Sequence, residues 1–178
     1  DGSQRLTFTL GKQRSTIALG IVPLAEGAFQ PPSFDEHGLD GRTIAGLKSI
    51  LKIGGSYESS ETAPAKLVSG CLRLAASLAE GGRIYDLRAK LALDSKTAKE
   101  ISTSDFDIRR YVNYRYMTPP SGETEHSWLH VHGMKKFGAP DLEAFDVSPD
   151  VSHKALALLM ELARRVAMGE PLQLETEI

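Results

Sequence analysis

One cysteine, Cys71, stands among 178 residues. It cannot form an internal disulfide, and no C-x-x-C pair is present to hold zinc. That scarcity favours a reducing, cytoplasmic compartment. Charge of one sign is missing too, since 21 basic and 23 acidic side chains leave a formal net charge of −2. Such a balance provides no field for gripping a polyanion and disfavours nucleic acid as a partner. No apolar run approaches the roughly 18–20 residues that span a bilayer, so no membrane partner is expected. No signal peptide is present, but the chain opens on Asp1-Gly2-Ser3 without Met. An upstream segment is therefore read as removed, and export stays open. There is no G-x-S-x-G elbow, no G-x-x-x-x-G-K-S/T loop, no G-x-G-x-x-G turn after a strand and no H-E-x-x-H helix. No cofactor is implied, and neither repeats nor low-complexity tracts occur.

What is there suffices for a core. With 41% hydrophobic residues the chain needs no metal or disulfide staple to fold. Its length fits a single domain over residues 1–178. Alternating apolar residues at 5–10 and 16–22 predict a β-hairpin whose turn exceeds the tight two-residue type. Residues 23–41, rich in Pro, Gly and acid, read as a long surface loop. Ile44, Leu47, Ile50 and Leu51 predict a helix over about 43–53, stopped by Gly54-Gly55. A second helix follows, capped by Thr62 with Pro64 in its first turn. Leu67, Cys71, Leu74 and Leu78 form its stripe, which makes Cys71 a small buried hydrophobe rather than a nucleophile. Ile84-Tyr85 begin a strand, and residues 94–101 look like a short capped helix or turn, with Asp94 or Ser95 as the cap. Residues 108–117 predict a strand that pairs with 126–133 in a long antiparallel hairpin. After a further strand at 142–147, Ser148-Pro149-Asp150 open a C-terminal helix. Ala155, Leu158, Leu159, Leu162 and Val166 supply its inner face, and Gly169 with Pro171 ends it. Leu172, Leu174 and Thr176 suggest a last edge strand. The fold class expected is α+β, with a mixed, mostly antiparallel sheet of about five to seven strands packed on one face by two main helices.

The chemically richest stretch is 126–147, which holds the only Trp and three of the five His residues. On a strand, Leu129 and Val131 point one way while His126, Trp128, His130 and His132 point the other. His130 and His132 have Cα atoms about 6.6 Å apart by strand rise, close enough for both imidazoles to reach one metal. His126 lies roughly 13 Å from His130, too far without a bend. Third ligands to consider are Asp141, Glu143 and the acidic loop with Asp35, Glu36 and His37. Glu143 shares parity with Phe145 and Val147, so it sits beside the core unless a bulge intervenes, and Arg109, Arg110 or Arg115 would pair with it. The bland counterpart is a half-covered polar face in which the histidines bond to backbone or carboxylates. Lys135-Lys136 read as a solvated turn.

Trp128-Leu129-His130-Val131-His132-Gly133-Met134, followed by Phe137-Gly138-Ala139-Pro140-Asp141-Leu142-Glu143, resembles the pattern of a group of bacterial domains of unknown function. In these a W-x-H-x-H-G-(L/M) strand precedes F-G-x-P-(D/E)-L-E and a C-terminal helix. The resemblance covers about residues 83–170 and implies shared fold but no activity, substrate or cofactor. The expected role is a non-catalytic domain binding a protein or small molecule through Trp128, His130, His132, Glu143, Tyr111 and Arg115. Its counterpart from another class is a small metal-assisted hydrolase with His130 and His132 as metal ligands. A homodimer seam on the Trp128 face is the third possibility.

Overall fold

The computed structural model describes residues 4–10, 13–23, 49–57, 63–117 and 127–171. The expectations for the 23–41 loop, His126, the acidic 35–37 loop and the 172–176 strand fall outside them. The cap expected at Thr62 is corrected, since Ala63 takes the cap position without a side-chain hydrogen bond. The fold is α+β, and its eight described strands are divided among three antiparallel sheets rather than gathered in one.

The first sheet has the order β1 (Gln4–Leu10), β2 (Gln13–Pro23), β3 (Ser49–Tyr57). Leu10 faces Gln13, so two residues separate the hairpin strands and not the longer turn expected. The helix expected over 43–53 is corrected where it is described: residues 49–57 form β3, and Gly54-Gly55 lie inside it opposite Ala18 and Ile17. An isolated helix of this length is marginal in water, and Ile50 and Ile53 suit a pleated sheet. Once β2 offers a full ladder of backbone partners, the extended form wins.

Helix α1 (Pro64–Leu78) starts with Pro in its first turn. Ala65 and Ala76 are its buried residues, with Val68 and Leu72 packed on the core. The inner face is thus rotated from the expected stripe, and Leu78 is about half exposed. Cys71 is half-buried, and burial pushes its thiol pKa up, as for an unreactive apolar side chain. Next comes a two-stranded sheet, β4 (Arg83–Asp86) with β5 (Leu91–Asp94), and then α2 (Ser95–Thr103). Asp94 caps α2 by accepting from the Thr97 amide at 2.7 Å.

The strand expected over 108–117 splits. Asp107 accepts from the Arg109 amide and tightens Ile108–Arg110 into a 3-10 turn, leaving β6 as Asn113–Met117. Between turn and strand, Tyr111 and Val112 enter the core. The third sheet has the order β6–β7–β8, with β7 at Ser127–His132 and β8 at Leu142–Val147. Helix α3 (Ser152–Met168) packs on its inner face. The helix begins later than expected, because Pro149 and Asp150 form a turn in which the Ser148 hydroxyl donates to Asp150. Gly169, with φ +72°, closes α3. Leu159, Met160, Ala163 and Ala167 are its buried residues, whereas Leu158 is 61% exposed, contrary to expectation.

Leu129 and Val131 are fully buried at the centre of the core with Met134. Each such side chain contributes roughly 1.5–3 kcal/mol by leaving water. This anchoring sets the parity of β7: with its apolar residues inward, Trp128, His130 and His132 must lie on the outer face.

Candidate functional site

The outer face of the β6–β7–β8 sheet is assembled by register. Asn113 lies opposite His132, Arg115 opposite His130, and Met117 opposite Trp128. On the other side, Glu143 lies opposite His130. Between the pairs Leu129–Ala144 and Ser127–Val147, β8 carries one residue more than β7. The extra residue sits where Asp146 has φ +58°, a conformation Asp tolerates better than most side chains. This bulge reverses parity within β8. Val147 turns inward and is buried, while Glu143 and Phe145 face out, Phe145 being 67% exposed. The placement of Glu143 and Phe145 beside the core is therefore corrected.

Four rings follow one another across this face. Phe145 stacks on Trp128 at 5.6 Å between centroids, Trp128 on His130 at 5.4 Å, and His130 on His132 at 3.7 Å. Aromatic side chains so arranged form a stacked row with an apolar end at Phe145 and a polar end at the imidazoles.

At the polar end a single carboxylate stands between both histidines. Asp141 Oδ2 is 3.7 Å from His132 Nδ1 and 3.9 Å from His130 Nε2. Its other oxygen accepts from the Gly133 and Met134 amides, each at 3.0 Å. The residues between β7 and β8 hold it there. Gly133 has φ +107°, and the 3-10 turn Met134–Phe137 ends at Gly138, also left-handed. Met134 and Phe137 are buried in the core, so the chain folds back and delivers Asp141 next to the strand it has just left. Glu143 Oε1 adds a second carboxylate 3.6 Å from His130 Nε2.

The electrostatics of this corner are mixed. Burial, the neighbouring His130 and the cations Lys90 and Arg115 hold the His132 imidazole below its ordinary pKa, against the pull of Asp141. Two buried polar atoms, His130 Nε2 and Trp128 Nε1, have no hydrogen-bond partner among the described residues. Burying such a group without a partner costs about 1–3 kcal/mol, so both are conspicuous at one place on one face.

Of the residues expected at the site, Trp128, His130, His132, Glu143 and Arg115 share this face. Tyr111 does not. It is 3% exposed in the core, donates to the Ile101 carbonyl and shares a hydrogen bond with the Ser69 hydroxyl. The arginines expected beside Glu143 include two engaged elsewhere, Arg109 with Asp107 at 3.0 Å and Arg110 with Glu100 at 3.2 Å. Lys136 also departs from its solvated reading. It is nearly enclosed, joined to the Asp86 carboxylate and the Tyr111 carbonyl, and lies over the Tyr111 and Phe137 rings. Burial pushes its ammonium below the usual lysine range, and Asp86 opposes that shift. Phe145 is a face residue that sequence reasoning missed, because the bulge at Asp146 shows only once β8 is paired with β7. No helix among the described residues is long and apolar enough to cross a membrane. Comparison with protein-family models, curated proteins and solved structures gives no match.

Proposed function

We propose that this chain is a ligand-binding domain whose site is the outer face of the β6–β7–β8 sheet, and that its ligand is a small molecule with a flat apolar part and a polar end. The apolar part lies along Phe145 and Trp128, and the polar end meets His130, His132, Asp141 and Glu143. The observation carrying this reading is the continuous ring ladder that runs from an exposed phenyl to an imidazole nitrogen lacking a partner among the described residues. Exposed aromatic area beside enclosed polar atoms is what a recognition site offers: area for affinity and fixed polar groups for orientation. Arg115, across from His130, supplies positive charge on the same face and favours an anionic end group.

The chain has one tryptophan, so its emission reports on this face alone. The experiment is a titration with aromatic carboxylates, benzoate and phenylacetate, followed by Trp128 fluorescence excited at the red edge of the indole band where these probes do not absorb, using wild type and Phe145→Ala. Saturable change in wild type and its loss in the variant is the expected result. Because Phe145 is largely exposed, the variant should lose about 1 kcal/mol of stability or less. Emission unchanged by every probe would remove the reading.

A metal-assisted hydrolase is the second reading, favoured by the carboxylate of Glu143 beside His130 Nε2. Its test is hydrolysis of an activated ester by zinc-treated protein, with loss of turnover in Glu143→Gln. No turnover leaves the binding reading alone.

A further inference from the structure

We propose that His130, His132 and Asp141 form a site for a divalent first-row transition metal, with a coordination position left for a donor atom of the bound small molecule. The proposal rests on the ligand-binding reading of this face and specifies what its polar end holds.

His130, His132 and Asp141 each offer one ligand atom, and the three atoms lie within 4.8 Å of one another. Bond lengths of about 2.0–2.2 Å to nitrogen and carboxylate oxygen place the donors of a tetrahedral zinc site about 3.4 Å apart. The two separations from Asp141 Oδ2, 3.7 Å and 3.9 Å, need to close by only a few tenths of an ångström. Both exceed hydrogen-bond range, and so does the 3.6 Å from Glu143 to the same His130 nitrogen. His130 Nε2 is thus enclosed by two carboxylates and bonded to neither, an arrangement that a cation between them resolves.

The support around the donors is of the kind that metal sites require. The Gly133 and Met134 amides hold one oxygen of Asp141, which leaves its second oxygen directed at the imidazoles. Both histidines stand on one strand whose parity is fixed by buried Leu129 and Val131, so neither can turn away without undoing the core. Two imidazoles and one carboxylate suit zinc, iron(II) and their neighbours, whereas magnesium and calcium prefer all-oxygen shells. Three protein donors leave zinc short of four, and the vacant position is where an outside donor enters. A carboxylate or similar anion on the ligand meets that demand, in keeping with Arg115 on the same face.

The test is equilibrium dialysis of chelator-stripped protein against zinc, with elemental analysis and the thermal unfolding midpoint as readouts. Asp141→Asn is the informative variant: its amide oxygen can still accept from Gly133 and Met134, while a nitrogen replaces the oxygen facing the histidines. Wild type should take up one zinc per chain, retain it in excess magnesium and unfold at a higher temperature. Asp141→Asn and His132→Asn should each bind zinc at least tenfold more weakly and gain no thermal stability from it. Folded wild type without zinc, or Asp141→Asn binding as wild type does, overturns the site. If zinc uptake fails while Trp128 emission still responds to aromatic carboxylates, the metal is removed and the ligand-binding face stands. Zinc uptake with no response of Trp128 to those carboxylates overturns the open position and the ligand reading together.

Discussion

Gly133→Ala probes the joint on which the site depends. A Cβ added at Gly133 would lie 2.8 Å from Ala89 Cβ and 3.0 Å from Ala89 Cα. Ala89 is fully buried in the β4–β5 turn, held by Asp86 accepting from the Ala89 amide at 3.0 Å, so one of the two chain segments must move. Forcing an L side chain into left-handed backbone costs about 1–2 kcal/mol, and φ +107° lies well outside the usual left-handed well. Overpacking adds about 1–3 kcal/mol. Together these come to roughly 3 kcal/mol, or about 6–12 °C in unfolding temperature for a chain of this size. Urea unfolding of Gly133→Ala, Ala89→Gly and the double variant apportions the cost. Removing the Ala89 methyl in the double variant should recover about 1 kcal/mol or more beyond additivity. Additive losses, or a Gly133→Ala loss below about 0.5 kcal/mol, would refute the close approach and with it the support proposed for Asp141.

Three further outcomes follow from the same structure. Lys136→Ala should cost about 3 kcal/mol in urea unfolding, because it leaves the Asp86 carboxylate and the Tyr111 carbonyl without their cation. Lys136→Met combined with Asp86→Asn should recover most of that loss. Tyr111→Phe should cost about 1 kcal/mol, measured the same way, by removing the hydroxyl shared with Ser69 and Ile101 while keeping the ring in the core. Glu161, bonded to Arg164 and Arg165, is pulled from 4.5 down to about 2, so its stabilisation is present above pH 4.5 and lost as pH falls through 2. Glu161→Gln should flatten stability against pH in that acid window. An unchanged slope would show the exposed cluster to be ineffective.

Legibility followed the strength of local signals. Alternation in 127–132 and the buried pair Leu129 and Val131 placed the histidines on the outer face, and the structure agrees. The stop at Gly169 was equally readable and the cap of α2 was narrowed to Asp94 or Ser95, because each works within a few residues of itself. The structure places the cap at Asp94. Glu143 and Phe145 were misplaced because one inserted residue at Asp146 inverts a period-two pattern, and periodicity cannot see an insertion without the partner strand. Ile50 and Ile53 fit either a short helix or a strand, and the choice was made by β2, which is distant in sequence. Tyr111 looked like part of a strand until the Asp107 side chain turned the chain there. Asp141 stood among several possible third ligands. What singles it out is the turn between β7 and β8, whose left-handed glycines bring it back against His130 and His132, a geometry that residue spacing does not specify.

Nuclear magnetic resonance can show which side chains of the folded chain take up zinc. The chain has one indole and five imidazoles, so the Trp128 N–H and the histidine ring signals can each be assigned by single substitutions. On zinc addition the signals of His130, His132 and Trp128 should change together and saturate at one equivalent, while that of His153 on α3 stays put. A change centred on His153, or no saturation at one equivalent, would contradict the proposed metal site.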